Sequence, residues 1–421
     1  MQFSFHKFFY YVILNERMTV KELIMDTFFF TYMCMIRNTY TSHKENITIH
    51  PEDVPSLLAL AQRHFTAPFI LPYMQSYPNT LQTLKQQTKM TMYQYYQIEH
   101  FTELIISLME QAGIPYYLLK GISLATYYPV PEYRKLGDVD LYIPDPDALK
   151  KAEEILEANG FVLDPELCDH HVTYLYTFPK TGRTYILELH FRIVGVYQYD
   201  KANQMIDSVF SADRITPEYQ TVGDTTYRVL PPTEYTFYML HHMLKHYLFS
   251  GFGIRLLCDF TLFLISRKND IDFDQLHNWC KESKITHFYE IIIECLHSYL
   301  GLPDSIEPDI HYQADVCETF ILGILEERDM GTLTDTTLVG SGSYAKVNLW
   351  TYFKEGHVQM KVRFPKLHKC ILLWPVLWIA TFVCFLWNTY FYRRTTLKNT
   401  LADFRETNSN SQLIRIFENE D

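Results

Sequence analysis

The sequence predicts an α+β fold: a small β-sheet flanked by helices, with helical regions on its N-terminal and C-terminal sides. Three observations predict it. The β-rich runs PYYLL, DVDLYI, HHVTYLYTF and TYILELHF follow one another in the middle of the chain, each bounded by turn-forming residues. The stretches on either side space their apolar residues three and four apart, as packed helices do. The chain has 421 residues at 48% hydrophobic content, enough for a real core and, by length, roughly two to three domains.

Residues 1–95 read as an N-terminal helical region with turns at His50-Pro51 and Tyr77-Pro78-Asn79. The opening MQFSFHKFFYYVILNERM has a weak basic start and no small-residue cleavage site, so it does not read as a signal peptide. Residues 96–230 read as the core. A longer helix, YQIEHFTELIISLMEQAG, is stopped by Gly113 and feeds the strand PYYLL. A Lys120-Gly121 turn follows, and then the strand DVDLYI. Pro146 opens a helix that carries Ala148, Ala152, Ile155 and Leu156 on one face and ends at Asn159-Gly160. HHVTYLYTF and TYILELHF form a hairpin around Lys180-Thr181-Gly182.

Residues 231–330 read as a helical lobe built from PPTEYTFYMLHHMLKHYLF, RLLCDFTLFLISR and THFYEIIIECLHSYLGL. Residues 331–369 read as a linker. Within it LVGSGSYAKV, with Lys361 downstream, mimics a kinase glycine loop, but its third glycine is Ala345 and no HRD or DFG segment follows. Residues 370–421 hold an apolar run and a polar tail. No charged residue falls between Lys369 and Arg393, a length sufficient to span a bilayer. Pro375 interrupts the run, Asn388 and Thr389 dilute it, and both flanks are basic, so no orientation follows. Membrane contact through 370–392, as a spanning helix or a segment lying in the interface, weighs evenly against a core-packed helix.

Asp138 and Asp140 carry the chemistry. Residues i and i+2 of a strand point the same way, so both carboxylates can grip a hard divalent cation from one side. Leu118, Leu119, Val139, Leu141 and Ile143 surround them with apolar side chains, and a buried acidic pair is costly without a cation. Glu188, in TYILELHF, supplies a third carboxylate on another strand. Three carboxylates suffice to hold Mg2+ or Mn2+ against the repulsion between a triphosphate and an attacking oxygen. The bland reading is that a DxD pair is common in a chain with 49 acidic residues, and that a lone strand Glu often makes a structural ion pair.

The order and spacing of AGIPYYLLKGISLATYYPVPEYRKLGDVDLYI, NGF, His170-His171, ELHF and MLHHMLKH resemble a family of bacterial, largely uncharacterised nucleotidyltransferases of the DNA-polymerase-β-like superfamily. The resemblance runs from about residue 100 to 300. It implies a polymerase-β-like sheet and a nucleoside monophosphate transferred from an NTP to an acceptor hydroxyl. Asp138, Asp140 and Glu188 are then the catalytic metal ligands, and Lys120, Gly121, Ser123, Arg134, His242 and Lys245 the nucleotide-binding residues. Two departures stand out. Phe191 replaces the Trp usual after ELH, and the superfamily's Gly-Gly or Gly-Ser turn is represented only by Gly121, Ile122 and Ser123.

Each of these residues also has a plainer reading. Lys120 and Arg134 can pair with local carboxylates. His242 and His246 sit four apart, yet HxxxH without the intervening Glu of a metalloprotease is common. Asp259 could orient Lys245 or His242. His190 is an acceptor contact or a general base, and structural roles are the default for His170 and His171.

A net charge of −12 argues against polymeric nucleic acid as the acceptor, leaving a sugar, a metabolite, a lipid or a protein. Eight cysteines without a CxxC pair read as reduced thiols, which places the protein in the cytoplasm, with the inner face of the membrane as its contact if 370–392 meets lipid. The rival reading is a catalytically silent nucleotide-binding or membrane-associated scaffold.

Overall fold

The computed structural model describes residues 20–41, 44–165, 168–197, 199–249, 253–326, 356–357, 360–361, 363–364 and 367–387. Its helices are α1 (Val20–Tyr40), α2 (Val54–Arg63), α3 (Pro78–Gln111), α4 (Ile122–Ala125), α5 (Pro146–Ala158), α6 (Asp200–Val209), α7 (Pro232–Phe249), α8 (Ile254–Arg267), α9 (Phe273–Glu282), α10 (Thr286–Cys295), α11 (Ala314–Glu326) and α12 (Trp374–Trp387), with a single helical turn at Ala67–Ile70 between α2 and α3. The strands are β1 (Tyr117–Leu118), β2 (Val139–Tyr142), β3 (Val162–Leu163), β4 (His171–Thr177), β5 (Thr184–His190), β6 (Glu218–Val222) and β7 (Thr225–Val229). The fold is α+β.

The principal sheet has five strands in the order β1-β2-β5-β4-β3. Only β2 and β5 run parallel, with Asp140 opposite Glu188 and Tyr142 opposite His190. A parallel pair needs a long crossover, which α5, β3 and β4 supply. Asp145 caps α5 by accepting a 2.7 Å hydrogen bond from the Ala148 N–H, and Pro146 occupies the first turn, where a missing N–H costs nothing. The predicted hairpin forms β4 and β5, with His171 opposite His190.

One apolar core runs from Phe29 to Leu325. Tyr116, Leu118, Leu141, Leu187 and Leu189 of the sheet region share it with Ile105 and Met109 of α3 and with Phe237, Leu240 and Leu244 of α7. The first and last helical regions meet in it. Tyr40 donates a 3.0 Å hydrogen bond to the Leu300 carbonyl, and Arg63 a 2.9 Å bond to that of Leu325. Gly301 adopts a left-handed conformation (φ 72°) after a π-helical turn, and a Cβ there would lie 2.9 Å from Thr41 Cγ2. Both its backbone shape and its close neighbour require glycine.

Several features depart from the sequence reading. α3 is one helix of 34 residues that crosses residue 95 unbroken, because no Pro or Gly interrupts the chain between Asn79 and Gly113. The β6–β7 hairpin, α6 and α9 were not expected. Their apolar faces are thin: α9 buries only Leu276 and Cys280, and Asp272 caps it.

None of the eight cysteines forms a disulfide. Among the described residues, no helix is long and apolar enough to cross a membrane. α12 buries Leu377 and leaves Val376, Ile379, Phe382 and Val383 exposed, as are Ile371 and Leu372 just before it. Residues 388–392 of the apolar run, the glycine-loop mimic and the polar tail lie outside the described residues.

Candidate active site

Asp138 ends the loop before β2, Asp140 lies within β2, and Glu188 sits beside Asp140 on β5. Their ligand oxygens all lie within 4.8 Å of one another, close enough for one cation to reach all three. Side-chain exposure rises from 0% at Asp140 through 25% at Glu188 to 36% at Asp138, so the cluster opens toward Asp138.

Lys120 closes one side. Gly121 takes φ 72° and ψ −124°, a backbone shape open to glycine, and the chain turns there directly after β1. Lys120 Nζ stands 3.2 Å from Asp140 Oδ1 and 3.6 Å from Asp138 Oδ2. Burial opposes its charge, but Asp138 and then Asp140 overrule it and hold the ammonium well above its ordinary pKa. Ser123 is buried and works on the backbone, donating to the carbonyls of Leu119 and Lys120, with the Tyr235 hydroxyl of α7 at 2.9 Å.

Imidazoles close the other side. His190 Nε2 lies 3.2 Å from Asp140 Oδ1 and 3.4 Å from Glu188 Oε2, and His171 Nε2 lies 3.8 Å from Glu188 Oε1. Burial, reinforced by Asp138, lifts Asp140 to about 6 despite Lys120 and the His190 hydrogen bond. Burial would lift Glu188 too, but the His190 hydrogen bond, Lys120 and His171 hold it well below the usual range. Burial lowers His171 to about 4, against the pull of Glu188.

Behind these lies a relay of polar contacts that no spacing in the sequence announces. Lys245 Nζ of α7 is 2.6 Å from His170 Nε2, His170 Nδ1 is 2.7 Å from Asp169 Oδ1, and Asp169 Oδ2 accepts from the Val196 N–H at 2.9 Å. Lys245 is thus fixed at the sheet. The His-His pair was the available signal, read as structural; Asp169 adjoins His170 in sequence, but Lys245 is 75 positions away. His242 and His246 pack ring to ring with centroids 4.3 Å apart. Burial holds both well below their ordinary pKa, with Lys120 and Lys245 adding to the effect.

Arg134 lies elsewhere. It is 3% exposed, and its Nε and Nη2 each donate a 2.8 Å hydrogen bond to Asp259, which also accepts from the Tyr128 hydroxyl at 2.6 Å. Asp259, expected beside Lys245 or His242, makes this core pair with Arg134.

The residues present fit a divalent cation. Asp140 Oδ2 is buried without a hydrogen-bond partner. A buried carboxylate oxygen left unsatisfied is costly, and a hard cation among three carboxylates would satisfy it.

A family model described as uncharacterised nucleotidyltransferase matches residues 50–301. No curated protein matches the chain. Among solved structures it is similar to an antigenic nucleotidyltransferase-like protein from Paracoccidioides brasiliensis, at 16% identity over 49% of this chain and 95% of that one, with a TM-score of 0.33. The family match covers more than half of the chain and contains all three carboxylates, and the protein belongs to the uncharacterised nucleotidyltransferase family.

Proposed function

We propose that the protein is a metal-dependent nucleotidyltransferase, built on a polymerase-β-like sheet, that transfers a nucleoside monophosphate from an NTP to an acceptor hydroxyl. The observation that carries the reading is the buried, unpartnered oxygen of Asp140 within the Asp138–Asp140–Glu188 cluster, in a chain of this family. Those three residues would hold Mg2+ or Mn2+, whose charge offsets that of the triphosphate. Lys120, beside Asp138 and Asp140, and Lys245, held against His170, supply positive charge for phosphate oxygens. Gly121 shapes the turn that carries Lys120, and Ser123 holds that turn to α7. His242, uncharged, offers an imidazole to the base or sugar rather than a charge to phosphate. Arg134 supports the site from the core through Asp259. The acceptor is a sugar, a metabolite, a lipid or a protein, and the exposed apolar row of α12 favours one presented at a membrane surface.

Calorimetric titration of the wild type and of Asp138→Asn/Asp140→Asn with each NTP, with and without Mg2+ or Mn2+, tests this. We expect cation-dependent binding by the wild type, its loss in the variant, and turnover lowered at least ~10²-fold once an acceptor is found. Absence of binding by folded wild type overturns the reading.

A further inference from the structure

Glu188 faces two sets of ligands. Its carboxylate belongs to the acidic cluster, yet Oε1 and Oε2 also stand opposite His171 and His190. These three side chains form a second group whose donor atoms lie within 4.8 Å of one another. They come from two adjacent strands paired so that His171 is opposite His190.

His190 Nε2 hydrogen-bonds Asp140 Oδ1, whereas both imidazoles stand farther from Glu188. Charge-assisted N–H···O bonds shorten to ~2.7–2.9 Å. Here His190 Nε2 is 3.4 Å from Glu188 Oε2 and 3.2 Å from Asp140 Oδ1, and His171 Nε2 is 3.8 Å from Glu188 Oε1. A tetrahedral ion with bonds of ~2.1 Å sets its ligands roughly 3.4 Å apart. The three donor atoms lie within 4.8 Å of one another, within reach of one such ion, and both Glu188–imidazole separations exceed a charge-assisted hydrogen bond.

A third group, Cys168, His170 and His171, is also within reach of an ion. It is the weaker candidate, because both nitrogens of His170 are engaged, one by Lys245 and one by Asp169, and the Lys245 ammonium would repel a cation. His171 turns Nδ1 toward Cys168, 3.5 Å from its sulfur, leaving Nε2 toward Glu188. A ring held through one nitrogen while the other faces the site is the usual arrangement of a metal-ligating histidine.

We propose that His171, His190 and Glu188 form a second metal site, taking a borderline divalent transition-metal ion such as Zn2+ or Co2+, with Asp140 beside it. Two imidazoles select against Mg2+, which prefers oxygen ligands. Glu188 is then shared between a hard-cation position at Asp138–Asp140 and a softer one at the histidines. The second position needs no nucleotide, so its test stands apart from that of nucleotidyl transfer.

Metal-stripped full-length protein titrated with Co2+, without nucleotide, provides that test. We expect an intense visible spectrum of four-coordinate cobalt that Zn2+ abolishes and excess Mg2+ leaves in place. His171→Gln, verified as folded by circular dichroism, should weaken Co2+ binding at least about tenfold, whereas Asp138→Asn should retain the spectrum. No such spectrum, or one removed by Mg2+, overturns the site using wild type alone. A spectrum unchanged in folded His171→Gln overturns it as well.

Discussion

At the scale of single residues, the carboxylates, Lys120 and His190 were legible, and the partners of Arg134 and Lys245 were not. The two-residue spacing of Asp138 and Asp140 puts them on one strand face, and an acidic residue on a neighbouring strand is readable from local pattern. Arg134 and Asp259 are 125 positions apart, and no periodicity links them. Their pair is fully desolvated, so removing one partner strands a buried charge. Arg134→Met should therefore destabilise the fold by ~3–5 kcal/mol, read as a lower urea midpoint at unchanged slope. Arg134→Met/Asp259→Leu should recover most of that loss. Nucleotide affinity of the double variant separates two roles. An affinity restored with stability marks Arg134 as a support, whereas one still lost marks it as a ligand.

At the scale of elements, α7 was visible from its three- and four-residue apolar spacing, but the environment of its histidines was not. His241 is fully buried, 4.6 Å from the ring of Phe237, with Nδ1 3.1 Å from the Tyr197 hydroxyl. Burial, reinforced by Arg192, lowers it to about 3 from an ordinary 6.5. A depressed folded pKa means that the unfolded chain binds the proton first. Stability from a neutral His241 is then complete above about pH 6.5 and lost progressively as pH falls toward 3. His241→Gln should reduce the stability difference between pH 7 and pH 5 by about 2 kcal/mol, one proton's worth over that interval. Denaturant melts at the two pH values measure it. An unchanged difference would mean that His241 takes up its proton alike in the folded and unfolded chain. The thin elements, α6, α9 and the β6–β7 hairpin, escaped reading because few of their residues reach the core.

At the scale of the whole molecule, the order of helical region, sheet and helical lobe was readable, but their union in one core was not, since the contacts joining them span hundreds of residues. α12 stands outside that core: neither Leu377 nor Met360, its buried neighbour in the described chain, belongs to it. The described part of α12 leaves a row of apolar side chains exposed. Its exposed row, with Lys361 and Lys369 exposed on the N-terminal side, suits a helix lying along an anionic surface. The full chain should sediment with phosphatidylserine vesicles, and Leu372→Ser/Ile379→Ser/Phe382→Ser should stay in the supernatant. Equal sedimentation of the two would rule out this row as the contact.

The hydrogen bond from Tyr40 to Leu300 also bears on how the chain is born. The two residues are 260 positions apart, which at ribosomal rates of ~5–20 residues per second is roughly 13–50 s of synthesis. α1 thus completes its native packing only late in synthesis. Through that interval the helix that carries Tyr32, Met33 and Ile36, all fully buried at the end, has its nearer neighbour at 66–70 but lacks the 296–300 turn against which it also packs. The nascent chain is then a natural client for chaperones that shield apolar helices, and its yield on expression should depend on them more than its final stability does.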